Sequence, residues 1–270
     1  MTGVPLRAIS PAVPDPSASD ATPLPPPPDP PWLLGVTWAL AIAGIAGARA
    51  LPASFHGGWL DVAGAAALLF VLLPDLRLRR RGEYWDAYGL PPFALRDREA
   101  RRAWGRGALA GLASCAVVFP VFLLLFLGWH ALLPHLSPDL ARTIAPYVRA
   151  AQPALRIPDG FPLQIALQLL VVALPEELFY RGWMQTSWAR GAPGRGVRVL
   201  GAHLGAGFLW TQLLFAAGHL VNPAPWRLAT FFPGLWFGWL RARTGSVVAG
   251  VVAHALANLF LKVLEASFYP

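Results

Sequence analysis

Residues 161–187 read FPLQIALQLLVVALPEELFYRGWMQTS, and this stretch decides the fold class of the chain. Its length matches the roughly 20 mainly apolar residues that a helix needs to cross a lipid bilayer. Two adjacent carboxylates, Glu176 and Glu177, nevertheless lie inside it. A charged side chain such as Asp, Lys or Arg at the centre of a membrane helix costs about 2.5–3.5 kcal/mol on insertion, so such residues usually mark function or pair with each other. The stretch therefore predicts a membrane-spanning helix that contains a polar site.

The composition of the whole chain is typical of a membrane protein. Of its 270 residues, 56% are hydrophobic and 13% are charged, whereas about 25% of the residues of a soluble domain are charged. Seven stretches are apolar enough to be candidate spans, and they lie near 32–52, 58–74, 108–133, 161–187, 200–220, 226–241 and 246–266. The second and the sixth are short. The sequence therefore predicts an all-α fold, a polytopic transmembrane helical bundle with about seven spans and a range of six to eight.

Arginines are distributed unevenly between the candidate spans. Nine of them lie from Arg77 to Arg106, in the connection between the second and third spans. Because cytoplasmic loops carry the excess of basic residues in membrane proteins, this connection and the N-terminus are expected in the cytoplasm. The net charge of +8 arises from this pattern and not from one continuous basic face. The lipid bilayer is thus a predicted partner, and nucleic acid is not.

The chain divides into three predicted regions. Residues 1–31 are rich in proline and lack apolar clusters, so they are expected to form a disordered cytoplasmic tail. Residues 32–107 hold two membrane helices and the basic cytoplasmic loop, and residues 108–270 hold the core of the bundle. The single cysteine, Cys115, excludes a disulfide framework and a thiolate metal cluster.

In the fourth span, two helix faces carry charge. Glu177 and Arg181 are one turn apart and share a face, so they are expected to form an ion pair that lessens the cost of burial. Glu176 points about 100° away from that face. The pattern favours Glu176 as the working carboxylate, with Glu177 and Arg181 as its support.

Two further pairs share helix faces at i, i+4 spacing: Phe215 with His219 in the fifth span, and His254 with Asn258 in the last. Together with Glu176, these side chains could activate water and stabilise an oxyanion, the two requirements of amide hydrolysis. They could also form a His/His/Glu metal site with an open position, although the sequence has no HExxH motif.

The three motifs, in this order, resemble those of the CPBP family of intramembrane proteases, which includes the type II CAAX prenyl proteases and bacterial relatives. The family motifs EExxxR, FxxxH and HxxxN correspond to residues 176–181, 215–219 and 254–258. The connecting stretch 233–246 is also similar to the family. The resemblance covers roughly residues 160–265, and residues 1–107 match no family motif.

This resemblance implies an intramembrane endopeptidase of the bacterial inner membrane, similar among others to the myxosortases, which cleaves a membrane-anchored protein or peptide. The implied catalytic residues are Glu176, which activates water, His219, which assists it, and His254 and Asn258, which steady the oxyanion. The implied supporting residues are Glu177, Arg181 and Phe215. No catalytic metal or other cofactor is expected, with zinc as the less favoured alternative.

Two other functions stay open from the sequence. A non-catalytic membrane scaffold or immunity-type factor could keep this fold without its chemistry. A small transporter could use the buried charges as a proton relay, but the chain lacks the internal repeat typical of transporters. One expectation conflicts with a shared site. His219 is placed near the far end of its span and Glu176 near the cytoplasmic end, a difference in depth of about 10 Å or more.

Overall fold

The computed structural model describes residues 27–52, 62–94, 96–144 and 153–269. The helices are α1 (Pro31–Arg49), α2 (Val62–Arg80), α3 (Arg98–Leu132), α4 (Pro138–Ile144), α5 (Phe161–Gly191), α6 (Ala206–Gly218), α7 (Phe231–Thr244) and α8 (Val247–Phe268). Short 3₁₀ turns lie at Trp85–Tyr88, Leu133–His135, His219–Val221 and Pro225–Thr230. The predicted all-α class is confirmed. Residues 1–26 of the predicted tail lie outside the described residues.

Each of the seven predicted spans falls on a helix. Among the described residues, four helices are long and apolar enough to cross a membrane: α1, α3 with its extension to His135, α5 and α8. Helix α6 with its extension to Val221 is apolar but shorter. The two spans expected to be short correspond to α2, with 19 residues, and α7, with 14 residues.

A small β-hairpin precedes α6. Strand β1 (Val197–Val199) pairs antiparallel with β2 (Ala202–Leu204). Between the strands, Leu200 and Gly201 have φ values of 47° and 79°, as a two-residue type I′ turn requires. Helix α6 therefore begins at Ala206, later than the start near residue 200 that was expected for the fifth span.

One end of the bundle gathers arginines around buried acids. The Asp29 side chain, just before α1, is 1% exposed and accepts hydrogen bonds from Arg77 at 2.7 and 2.9 Å and from Arg81 at 3.3 Å. At the end of α5, Arg190 donates to Glu83 at 3.0 Å. The start of α1 and the ends of α2 and α5 therefore meet at this end, which is called the arginine-rich end below.

Helices α6 and α7 extend only part of the way along α5. They measure about 20 and 21 Å from their 13 and 14 residues, whereas the 31 residues of α5 measure about 46 Å. Both are anchored at the arginine-rich end, because Gly207 of α6 packs against Trp188, and Arg241 of α7 donates to Thr186 at 2.9 Å. The turn between α6 and α7 therefore lies beside the middle of α5.

This arrangement removes the expected difference in depth between the two motifs. Glu176 is midway along α5, roughly 22 Å before Gly191, and not near the cytoplasmic end as expected. His219 follows the end of α6, roughly 20 Å from Ala206. The expected placement of Glu176 near the end of its span was wrong, because α5 continues to Gly191. His219 does lie at the end of its helix as expected, but that helix begins only at Ala206, so its end reaches the depth of Glu176.

Candidate active site

The two glutamates lie in a locally widened helix. Leu174–Glu177 is α-helical, and it is flanked by π-helical stretches at Gln168–Ala173 and Leu178–Met184. Pro175 has no backbone N–H and cannot continue the regular hydrogen-bond ladder, which gives a local reason for the first wide stretch. Such π-turns occur frequently at functional sites because they redirect side chains. Here they surround the Glu176–Glu177 pair.

Glu177 and Arg181 form the predicted ion pair. Nη1 of Arg181 lies 2.9 Å from Oε1 of Glu177, and both side chains are 0% exposed. Nδ1 of His254 lies 3.0 Å from the same oxygen. A buried charge needs a partner because burial removes its hydration. Glu177 therefore has two partners, one on its own helix and one on α8.

Arg181 is further held by Gln212 and Gly234, which the motifs did not indicate, and by Phe215 of the second motif. Its Nη2 donates to Oε1 of Gln212 at 2.8 Å and to the carbonyl oxygen of Gly234 at 3.2 Å. Its guanidinium lies 4.2 Å from the ring centroid of Phe215. Gln212 in turn donates to Gln185 at 3.2 Å. Glutamines inside apolar helices need partners in the same way as charges do, and this was the signal available in the sequence for Gln185 and Gln212.

A glycine on α8 makes room for the buried carboxylate. A Cβ atom on Gly250 would lie 2.5 Å from Oε2 of Glu177. Real side chains essentially never approach so closely, so a larger residue would displace Glu177 or separate α8 from α5. Gly250 is therefore required for the close contact between these two helices.

Glu176 and His219 line one cavity of about 270 Å³. The Glu176 side chain is 16% exposed, and it is the one carboxylate among the described residues that line this cavity. Its Oε2 has no hydrogen-bond partner in the described part of the chain. The nearest basic group is Nε2 of His254, at 3.8 Å. This oxygen is therefore a buried acceptor whose hydrogen-bonding capacity no described residue satisfies.

Backbone geometry sets the tautomer of His219. Its Nδ1 lies 2.8 Å from the carbonyl oxygen of Phe215. A carbonyl can only accept, so Nδ1 carries the hydrogen and Nε2 of the neutral ring is a free acceptor. The imidazole also contacts the Phe215 ring edge to face, at 4.7 Å between centroids. Phe215 therefore orients His219 as well as covering Arg181.

The last motif is only partly joined to this cavity. The ring of His254 stacks on Phe237 at 4.7 Å and 16°, which fixes its plane between the two glutamates. Nδ2 of Asn258 donates to Oε1 of Gln168 at 2.8 Å, and Asn258 is not among the residues that line the cavity. The structure thus brings Glu176, Glu177 and His254 together and gives Asn258 a partner that the motifs did not indicate.

The site was also compared with the requirements of a metal centre. Among the described residues, no three side chains of His, Cys, Asp or Glu lie close enough together to hold a metal ion. That no catalytic metal takes part stays a prediction, with zinc as the less favoured alternative.

Comparison with known proteins gives one match. Residues 158–260 match the family model described as type II CAAX prenyl endopeptidase Rce1-like. No curated protein and no solved structure matches the chain. The matched range contains all three motifs and the helices α5 to α7 with most of α8. The chain is thus an integral membrane protein, and its residues 158–260 match the Rce1-like family of type II CAAX prenyl endopeptidases.

Proposed function

We propose that this protease hydrolyses a peptide bond of a membrane-anchored substrate with a water molecule that Glu176 activates. The observation that carries the proposal is that Glu176, with one oxygen that makes no hydrogen bond to a described residue, lines the same cavity as His219. General bases of this kind typically contribute 10²–10⁴-fold to a rate, provided that they reach the attacking water.

The proposed reaction has two steps. In the first, the water oxygen attacks the scissile carbonyl carbon, and its proton moves to the Glu176 carboxylate, which leaves a tetrahedral oxyanion. In the second, the carbon–nitrogen bond breaks, and the proton on Glu176 moves to the leaving amine. Nε2 of His219, as a free acceptor, holds the water by accepting its second hydrogen.

The oxyanion role is assigned to the last motif. Nε2 of His254 lies 3.8 Å from Oε2 of Glu176. Because Nδ1 donates to the Glu177 carboxylate, Nε2 can donate to a group bound beside Glu176 only in the imidazolium form, which carries hydrogen on both nitrogens. Asn258 is one turn further along α8, and its amide donates to Gln168. Its part in stabilising the oxyanion stays a prediction and requires release from Gln168 during the reaction.

The supporting role of the second glutamate follows from charge. Glu177 neutralises Arg181 in a fully buried pair and orients His254 through Nδ1. Because Arg181 pairs with Glu177, the Glu176 carboxylate is left to act on the water. The motif contains two glutamates because they do different work.

The setting of the reaction is also part of the proposal. The arginine-rich end is assigned to the cytoplasm with the N-terminus, by the excess of basic residues there, and the membrane to the bacterial inner membrane. No metal and no other cofactor takes part in the proposed mechanism.

The test compares cells that carry wild-type protein with cells that carry Glu176→Gln. New C-termini in the membrane proteome are mapped by mass spectrometry. Cleaved C-termini should vanish in Glu176→Gln and persist in the matched control Glu99→Gln, an exposed glutamate at the start of α3. Identical C-termini in all three, with the variants equally abundant, would refute the catalytic role and favour a scaffold.

A further inference from the structure

The cavity that contains Glu176 extends away from the arginine-rich end of the bundle. Along α1 its wall is formed by Ile42, Ile45 and Arg49, which progress away from the arginine-rich end. Along α2 the wall runs from Phe70 to Val62 in the same direction, since α2 ends at the arginine-rich end. The cavity therefore leads from Glu176, at mid-depth, toward the opposite end of the bundle.

The short helices explain why the cavity of Glu176 extends toward that side. Helices α6 and α7 fill the bundle between the arginine-rich end and the level of His219. Beyond that level they turn back through the 3₁₀ turns His219–Val221 and Pro225–Thr230. Beyond the level of His219, neither helix therefore fills the bundle beside the cavity.

Two arginines stand at this entrance. Arg49 ends α1, and Arg227 lies in the turn between α6 and α7; both line the cavity. When the side-chain amide of Asn222 is oriented with its oxygen toward Arg227, that oxygen accepts hydrogen bonds from Nη2 and Nε of Arg227 at 3.1 and 3.2 Å. Among the described residues, neither arginine has a carboxylate within ion-pair distance, and Glu265 of α8 influences Arg227 only from further away. Their charges therefore face the cavity largely uncompensated.

The cationic entrance contrasts with the carboxylate at its inner end. An anionic ligand in the cavity would be repelled by Glu176 and attracted at the rim, so it would place its negative charge at the rim and its neutral part beside Glu176. Clefts lined by one sign of charge raise the local concentration of the opposite ion by about 10-fold or more. An arginine pair suits a carboxylate because the guanidinium geometry matches it.

We infer that the substrate enters from the side opposite to the arginine-rich end, with a carboxylate bound by Arg49 and Arg227 while the scissile bond lies at Glu176. This inference rests on the proposed function, since it presupposes a protein or peptide substrate. It adds the side from which that substrate enters and the presence of a carboxylate in the entering segment. The α1 and α2 walls, with Arg49, lie outside the matched range 158–260, whereas Arg227 lies within it. The entrance is therefore supplied in part by the region of the chain without family motifs.

The side of access is tested by cysteine labelling, which does not depend on cleavage. In a Cys115→Ala background, Ala66→Cys places a thiol in the cavity wall, and Arg102→Cys places one at the arginine-rich end. Both are treated with a membrane-impermeant maleimide in right-side-out and inside-out vesicles. Ala66→Cys should be labelled in the vesicle orientation in which Arg102→Cys is not. Labelling of both thiols in one orientation, or of Ala66→Cys in neither, would refute the inference.

The charge of the entrance is tested with two small thiol reagents of opposite charge. At Ala66→Cys, the anionic sulfonatoethyl methanethiosulfonate should react at least about threefold faster than the cationic trimethylammonioethyl reagent, after normalisation to a thiol in free solution. Arg49→Gln and Arg227→Gln should each reduce that ratio. The matched control Arg156→Gln, an arginine at the same end but outside the cavity, should leave it unchanged. Equal rates with the two reagents would contradict a cationic entrance.

The source of the carboxylate is resolved with peptides that span a cleavage site mapped in cells. One peptide replaces its acidic side chains by amides, and another carries a C-terminal carboxamide. A rise in KM in the first identifies a side chain, and a rise in the second identifies the chain terminus. An unchanged KM for both modified peptides would overturn the carboxylate subsite. If the unmodified peptide itself shows no cleavage that depends on Glu176, the result would instead count against the proposed function.

Discussion

Nδ1 of His254 lies 3.0 Å from Oε1 of Glu177, and this contact links α8 to α5 inside the membrane bundle. The same oxygen accepts from Arg181 at 2.9 Å. One buried carboxylate thus connects the first and last motifs, which are 77 residues apart in the chain.

We expect Glu177→Gln to destabilise the protein by about 3–5 kcal/mol, because it leaves the buried guanidinium of Arg181 without a counter-charge. Activity per folded molecule should also fall, since the neutral amide of the variant no longer holds His254 by charge. Thermal unfolding in detergent measures the first effect, and cleavage per folded molecule the second. The control Asp139→Asn removes one partner of an exposed pair, 92% and 74% exposed, and should change little. Equal stability of both variants would contradict the importance of the buried pair.

We expect Gly250→Ala to lower both stability and cleavage, because the added Cβ would lie 2.5 Å from Oε2 of Glu177. Overpacking of this kind typically costs about 1–3 kcal/mol. The matched control is Gly128→Ala in α3, where no atom lies within 4 Å of the added Cβ. Helix propensity favours alanine there by up to about 1 kcal/mol. If the unfolding midpoints of both variants move in the same direction, the predicted clash at Gly250 would be contradicted.

We expect Asn258→Ala to lower kcat by about 10²–10³-fold with little change in KM, as the loss of an oxyanion donor does. Gln168→Ala removes the partner that holds the amide at 2.8 Å, and its effect should be smaller. In the double variant, Gln168→Ala should add nothing to Asn258→Ala if Gln168 acts through Asn258. Additive effects, or a loss of folded protein with unchanged kcat, would make the pair purely structural.

The acid cluster at the arginine-rich end should make stability depend on pH. Burial alone would raise the pKa of Glu83, but hydrogen bonds from Arg81 and Tyr88, both at 2.8 Å, and the charge of Arg190 hold that pKa below its ordinary value. A lowered pKa in the folded state stabilises the protein above the unfolded pKa, and this stability is lost as the pH falls through the folded value.

Glu83→Gln should therefore reduce the unfolding temperature by a few degrees at neutral pH and flatten its dependence on pH below about 5. Thermal unfolding in detergent across that range measures both. A variant that loses stability in acid as steeply as wild type would show that other carboxylates are responsible.

Chelation should leave cleavage unchanged, because the proposed mechanism assigns no step to a metal. Purified protein is treated with chelator, and cleavage of a mapped substrate peptide is followed before and after addition of zinc. Loss of activity that zinc restores would replace the glutamate mechanism by a metal-dependent one, with Glu176, His219 and His254 as the ligands to examine.

Most of the helical architecture was predictable from hydropathy, since every predicted span falls on a helix. The ion pair of Glu177 with Arg181 was also predictable, because i, i+4 neighbours on one helix meet whatever surrounds them. The hairpin at 197–204 was not anticipated, because its short apolar strands lie next to an apolar helix and continue its hydropathy. For the same reason the start of the fifth span was expected too early, and with it the depth of His219 in the membrane was mispredicted.

By itself, the sequence determined that the chain is a membrane bundle and which polar residues its helices carry, because lipid penalises every polar group that lacks a purpose or a partner. Only the tertiary structure decided which of those residues meet. It joined His254 to Glu177, paired Asn258 with Gln168, and placed Glu176 and His219 in the lining of one cavity that extends away from the arginine-rich end. Contacts between distant helices depend on their lengths and packing, and a one-dimensional pattern records neither.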